Sequence, residues 1–215
     1  MTPTTALDKG RLEQQVDARR ARFAADLKQI VEVPSVSAQA KHKPDIRRCA
    51  EVAKRLIEDA GGKGEIVETA GNPIVVGSFE NDPRHPWLAI YNHIDVQPAE
   101  DGKDGWTRPP FTCVEEDGRW YGRGSTDDKG PAITALHATQ LARSEGVKIN
   151  VRLIWELEEE IGSPSFEGFL VQNGQRLKPD SVLVSDTIWL AEGKPAVPYG
   201  LRGLAGALLR LRTAK

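Results

Sequence analysis

The chain has 215 residues, 39% hydrophobic and 28% charged, with 29 basic residues against 31 acidic ones. That size and mix suit one or two globular domains and exclude a disordered tail, a fibre and a disulfide-stapled miniprotein. A net charge of −2 gives no footing for nucleic acid or a membrane surface, and no apolar run approaches the roughly 20 residues of a membrane span. The stretch MTPTTALDKGRLEQQ has no apolar core of the kind a secretory signal needs, and Cys49 and Cys113 read as reduced thiols, so a cytoplasmic setting is expected.

From Leu12 to Val31, Val16, Phe23, Leu27 and Ile30 recur on one face and predict a helix that Pro34 ends. A second helix is predicted from Pro44 to Ala60, with Ile46, Val52, Ala53, Leu56 and Ile57 as its apolar stripe and Gly61–Gly62 as its stop. GEIVET and PIVVGSF read as short strands about a GNP turn, and the non-alternating run Trp87–Tyr91 as a strand covered on both faces. Val96 to Arg119, rich in Gly and Pro, reads as a long loop, which in a compact domain is usually functional. A helix from Pro131 to Ser144, with Pro131 suited to its first position, precedes a buried strand Val151–Leu157. A helix Ser165–Asn173 and a strand Ser181–Asp186 follow. In Leu204–Arg212, Leu209 and Leu211 alternate with Arg210 and Arg212, as in a half-exposed strand. Strands alternating with helices predict an α/β three-layer sandwich with a mostly parallel sheet.

Open sheets of this kind hold ligands at the carboxyl ends of their strands. Trp87–Tyr91 leads to His93 and Asp95, Val151–Leu157 to Glu158, Glu159 and Glu160, and Ser181–Ser185 to Asp186; YGRGSTDDKGP delivers Asp127 and Asp128 before a helix. Acids gathered on one rim repel one another unless a cation neutralises them. Imidazole with carboxylates and no thiolate suits Zn, Mn or Co. An isolated His-x-Asp is more often a surface turn, and a run of three glutamates more often a solvated one. GRGSTDDKG is not a phosphate cradle, because it lacks the GxxxxGKS/T pattern and two acids there repel phosphate. What strengthens the metal reading is that all these groups sit at strand ends. Of two adjacent carboxylates, one can ligate metal while its neighbour acts as a base.

YNHIDVQP, GWTRPPF, DGRWYGRGSTDDKGP, ELEEEIGS and VLVSDTIWLAEGKPAVPYGLRG, in that order, resemble the aminoacylase/dipeptidase/succinyl-diaminopimelate desuccinylase superfamily of co-catalytic metallopeptidases. Within it the carnosinase-type dipeptidases are nearest. The resemblance implies two divalent ions, zinc before manganese or cobalt. It makes His93 and Asp186 ligands of one metal, Asp127 the carboxylate bridging both and Glu160 a ligand of the second. Asp95 matches the carboxylate that orients His93, and Glu159 the general base toward the attacking water. The Asp127–Asp128 peptide is expected to be cis. Implied substrates are small peptides, with N-acyl amino acids as the alternative; a non-catalytic metal-binding fragment is a third reading.

The histidines are His42, His85, His93 and His137. His42 and His85 read as exposed loop residues and His137 as a helix residue. The second-metal histidine and the lid histidine of the resembled family thus have no counterpart. The expectation is an N-terminal fragment, inactive and aggregation-prone alone. Residues 1–200 would be the first part of the catalytic domain and 201–215 the first strand of an inserted α+β lid, through which the full-length parent forms a homodimer.

Overall fold

The computed structural model describes residues 8–103, 105–187, 189, 191, 193–200, 203 and 205–213. Helix α1, Lys9–Val31, starts where the Asp8 side chain accepts hydrogen bonds from the Gly10 and Arg11 amides. Helix α2, Lys43–Asp59, buries Ile46, Cys49, Ala50, Val52, Ala53, Leu56 and Ile57. Gly61 ends it with φ 84°, a backbone that side chains rarely adopt. At Gly62 a Cβ would sit 2.6 Å from the Phe79 ring, so the chain turns tightly against the sheet only because that position has no side chain.

Strands β1 (Lys63–Val67) and β2 (Ile74–Phe79) form an antiparallel pair, followed by β3 (Trp87–His93). The next two strands, β4 (Val114–Glu116) and β5 (Arg119–Tyr121), make a separate hairpin inside the stretch expected to be all loop. Its turn is Asp117–Gly118, with φ 50° and 73°, the Asp-Gly pair that tight hairpins favour. Helix α3 (Lys129–Ser144), strand β6 (Asn150–Glu156), helix α4 (Phe166–Leu177) and strand β7 (Ser181–Val184) complete the order. Pro131 is the third residue of α3 rather than the first, because the helix already begins at Lys129 behind Asp128.

The main sheet has the order β1-β2-β6-β3-β7. β6 pairs parallel with β3 and β3 with β7, while β2 runs against both β1 and β6. Four strands therefore share one direction and β2 opposes them, the mostly parallel sheet expected. Leu27 and Ile30 of α1, Leu56 and Ile57 of α2 and Ile133 and Leu136 of α3 pack with Val151, Leu153 and Trp155 of β6 on one face. Phe169 and Leu177 of α4 pack with Ile74, Val76 and Ile154 on the other. β6, central and buried at every position, is the non-alternating strand that two-sided cover requires. β7 is an exposed edge, with Val182 at 63% and Val184 at 50%.

The strand expected at Leu204–Arg212 is not formed: Leu204 lies outside the described residues, and residues 205–213 have no regular secondary structure. Leu209 and Leu211 are 93% and 84% exposed, since an alternating segment needs a paired neighbour to become a strand. Among the described residues no helix is long and apolar enough to cross a membrane.

Leu136, 1% exposed between α3 and the sheet, tests the larger core. Leu136→Ala should lower the unfolding free energy by about 2–5 kcal/mol in a urea titration. A loss below about 1 kcal/mol would contradict this packing.

Candidate metal centre

The parallel register sets the site. His93, the last residue of β3, pairs with Glu156, the last of β6. The Ile94 amide donates to the Glu156 carbonyl at 2.8 Å, and the Ser185 amide to the Tyr91 carbonyl at 3.0 Å, so β3, β6 and β7 end level. His93 is 1% exposed. Its Nε2 lies 2.9 Å from Asp127 Oδ1, 3.8 Å from Asp186 Oδ2 and 3.9 Å from Glu159 Oε2. Its Nδ1 is 3.1 Å from the Asp95 main-chain oxygen and 3.4 Å from Asp95 Oδ1. The Asp127–Asp128 peptide is cis.

The Asp95 carboxylate also reaches the turn after β6. Its Oδ1 accepts from the Glu159 amide at 3.2 Å and its Oδ2 from the Glu160 amide at 3.1 Å. One buried carboxylate thus ties the end of β3 to the short 3-10 turn Glu159–Ile161 after β6.

His93, Asp127 and Asp186 each offer one ligand atom, and these atoms lie within 4.8 Å of one another. A nitrogen and two carboxylate oxygens without sulfur are a fitting donor set for a zinc-class divalent ion. The charge balance agrees. Burial opposes charge on His93, yet the Asp95 hydrogen bond and carboxylate, with Asp128 and Asp186, lift its pKa to about 10. Burial pushes the carboxyls of Asp186 and Glu159 above their usual range, and that of Asp128 to about 8. A rim that draws a proton onto its histidine and resists ionising its own acids lacks positive charge.

The rest of the acidic cluster separates into different environments. Glu160, expected to ligate the second metal, lies outside the three-donor group; its Oε1 and Oε2 accept from the Gln97 amide at 3.2 Å and Gln97 Nε2 at 2.8 Å. Glu158 is 5% exposed, its oxygens taken up by the amides of Asn72 and Ser165. Asp128 is buried and accepts from Asn92 Nδ2 at 2.8 Å and the His93 amide at 3.1 Å. Glu156, unremarked in the sequence, accepts from the Tyr91 hydroxyl and from Ser163 Oγ. Only its place as the last polar residue of an apolar strand could have flagged it. The other histidines lie elsewhere. His42 and His85 are half-buried rather than exposed, His42 Nδ1 lying 2.8 Å from Asp45. His137 is buried 3.1 Å from Asp26.

Because the His93 pKa is raised, its proton is present at neutral pH and must leave when a cation takes Nε2. Metal uptake at pH 7 should therefore release about one proton from His93, and affinity should rise with pH up to about 10. Calorimetry in buffers of different ionisation enthalpy measures this directly; a buffer-independent heat would contradict it.

The match to the model of peptidase family M20/M25/M40 covers residues 89–199, just over half of the chain, and includes every donor named above. A Cys-Gly metallodipeptidase of Schizosaccharomyces pombe is 36% identical over 93% of this chain and 44% of its own length. The structure of human carnosine dipeptidase 1 superposes with a TM-score of 0.74 at 29% identity, over 82% of this chain and 41% of that one. An M20 family metallo-carboxypeptidase from Sulfolobus solfataricus gives 0.71 at 33%, over 78% and 38%. The chain spans less than half the length of these relatives. With the donors at the strand ends and the family model running across them, the chain belongs to peptidase family M20/M25/M40.

Proposed function

We propose that the full-length parent of this chain hydrolyses the amide bond of small peptides, most of all dipeptides, in a metal-dependent reaction, the present chain alone being inactive. The observation that carries this is the Glu159 carboxylate. It stands 3.9 Å from the His93 nitrogen shared by the three donors and, among the described residues, accepts no hydrogen bond. A group that only filled space or capped a turn would be bonded, as Glu158 is.

His93, Asp127 and Asp186 would hold one divalent ion, and Asp127 with Glu160 would contribute to a second, zinc being preferred over manganese or cobalt. When bound, such ions polarise a carbonyl and make water acidic enough to attack it near neutral pH. Glu159 takes the proton of the attacking water on Oε2 and returns it to the leaving amine. Burial raises its pKa, which makes it the stronger base. Asp95 keeps His93 Nδ1 engaged and holds the amides of Glu159 and Glu160, so donor and base keep a fixed relation. Glu160 must leave Gln97 in part to reach an ion. Dipeptide substrates are supported by the names of the relatives in yeast and mammals. The same reading assigns residues 1–200 to a catalytic domain and 201–215 to the entry of a second domain that mediates homodimers, and favours the cytoplasm.

The test is hydrolysis of a dipeptide panel by the metal-loaded full-length parent, with N-acyl amino acids alongside. Glu159→Gln should keep metal affinity and lower kcat by about 10²-fold or more. Comparable kcat in that variant would remove the base assignment, and cleavage of acyl amino acids alone would replace dipeptides as substrate. His93→Ala should weaken binding of the first metal at least about tenfold, read by competition with a chromogenic chelator.

A further inference from the structure

Glu158, Glu159 and Glu160 are chemically identical neighbours, yet Glu158 is tied elsewhere, to the turn between β1 and β2 and to the start of α4. Glu158 Oε1 accepts from the Asn72 amide at 2.6 Å and Oε2 from the Ser165 amide at 3.1 Å. These donors come from the turn between β1 and β2 and from the start of α4. Asn72 Nδ2 returns a bond to the Leu157 carbonyl at 2.8 Å, and Thr69 Oγ1 bonds the Asn72 carbonyl at 2.7 Å. The Glu158 carbonyl meanwhile accepts from the Ile161 and Ser163 amides at 3.2 and 2.9 Å, closing the turn that carries Glu159 and Glu160. Gly71 lies against this knot: a Cβ there would be 1.9 Å from Glu158 Oε1.

From this arrangement we propose that Glu158 is a positioning residue, a buried clamp that fixes the Glu159–Ile161 turn from the side opposite in bonding to Asp95. The proposal rests on the roles given above to Glu159 and Glu160. Asp95 holds the turn through the amides of Glu159 and Glu160, and Glu158 holds it through the β1–β2 turn and α4. Backbone amides bonded to a carboxylate are strong, directional ties, and both oxygens are used. An amide in place of the carboxylate turns one acceptor into a donor facing an N–H, which the buried site cannot accommodate. Gly71 is part of the clamp because any side chain there displaces the carboxylate.

The test compares the full chain with Glu158→Gln, Gly71→Ala and, as a destabilised control remote from the turn, Leu136→Ala. Residue-resolved hydrogen exchange reads the clamp without metal or substrate. Exchange at the Glu159 and Glu160 amides should rise about tenfold in Glu158→Gln and Gly71→Ala while the α3 amides keep their wild-type rates. Leu136→Ala should speed exchange broadly instead. In dipeptide hydrolysis by the full-length parent the two clamp variants should lose about tenfold in kcat with KM within about twofold, as expected for a misplaced base. Unchanged exchange at Glu159 and Glu160, or a uniform rise like that of the control, would overturn the proposal. If Glu158→Gln does not fold, Gly71→Ala decides alone, since it leaves the carboxylate chemically intact. A full-length parent that cleaves no dipeptide would sink the functional reading, and the exchange result would still judge the clamp.

Discussion

Repulsion between like charges at one rim of the sheet is the constraint around which this molecule is built. Strands that run the same way deliver their ends to the same edge, and β3, β6 and β7 stop level there. β1 points the same way, so the turn after it reaches that rim as well, whereas β2 returns against the rest and supplies no donor. The topology thus gathers eight acids among the described residues at this rim: Asp95, Asp127, Asp128, Glu156, Glu158, Glu159, Glu160 and Asp186.

The fold answers by giving most of those acids hydrogen-bond donors. Asp95 receives two amides, Glu158 two more, Asp128 an asparagine and an amide, and Glu160 the amide and side chain of Gln97. Asp127, Asp186 and Glu159 receive no backbone donor among the described residues, and all three lie within 4 Å of His93. Charge left without backbone donors is what a cation and a proton can use. The proposed chemistry therefore draws mainly on acids the backbone leaves unsolvated, with Glu160, bonded to Gln97, the exception.

Much of this was legible in the residues. His93, Asp127 and Asp186 stood at strand ends or before a helix, and hydrophobic pattern located the four long helices and the strands of the main sheet within a few residues. Motif similarity added the proposed roles of Asp95 and Glu159. Three things were not legible. The hairpin at Val114–Tyr121 was hidden because its strands are short and its Asp-Gly turn lay among other glycines and prolines. The alternation of Leu209 and Leu211 promised a strand, but alternation records which face wants cover and says nothing about whether a partner strand is there. The split of Glu158 from Glu159 and Glu160 depends on Asn72, some 85 positions earlier, and only the folded register of β1, β2 and β6 makes the two neighbours.

Asp186 follows β7, and β7 is bonded to a single strand and exposed along its length. His93 and Asp127 are attached to the deepest part of the core; Asp186 hangs from its most easily frayed element. Edge strands open locally at far lower free energy than the whole fold. Each such opening withdraws one donor and leaves two. If His93, Asp127 and Asp186 hold an ion as proposed, its residence time would follow the breathing of β7 rather than global unfolding, and whatever covers that edge would act as a brake on metal loss.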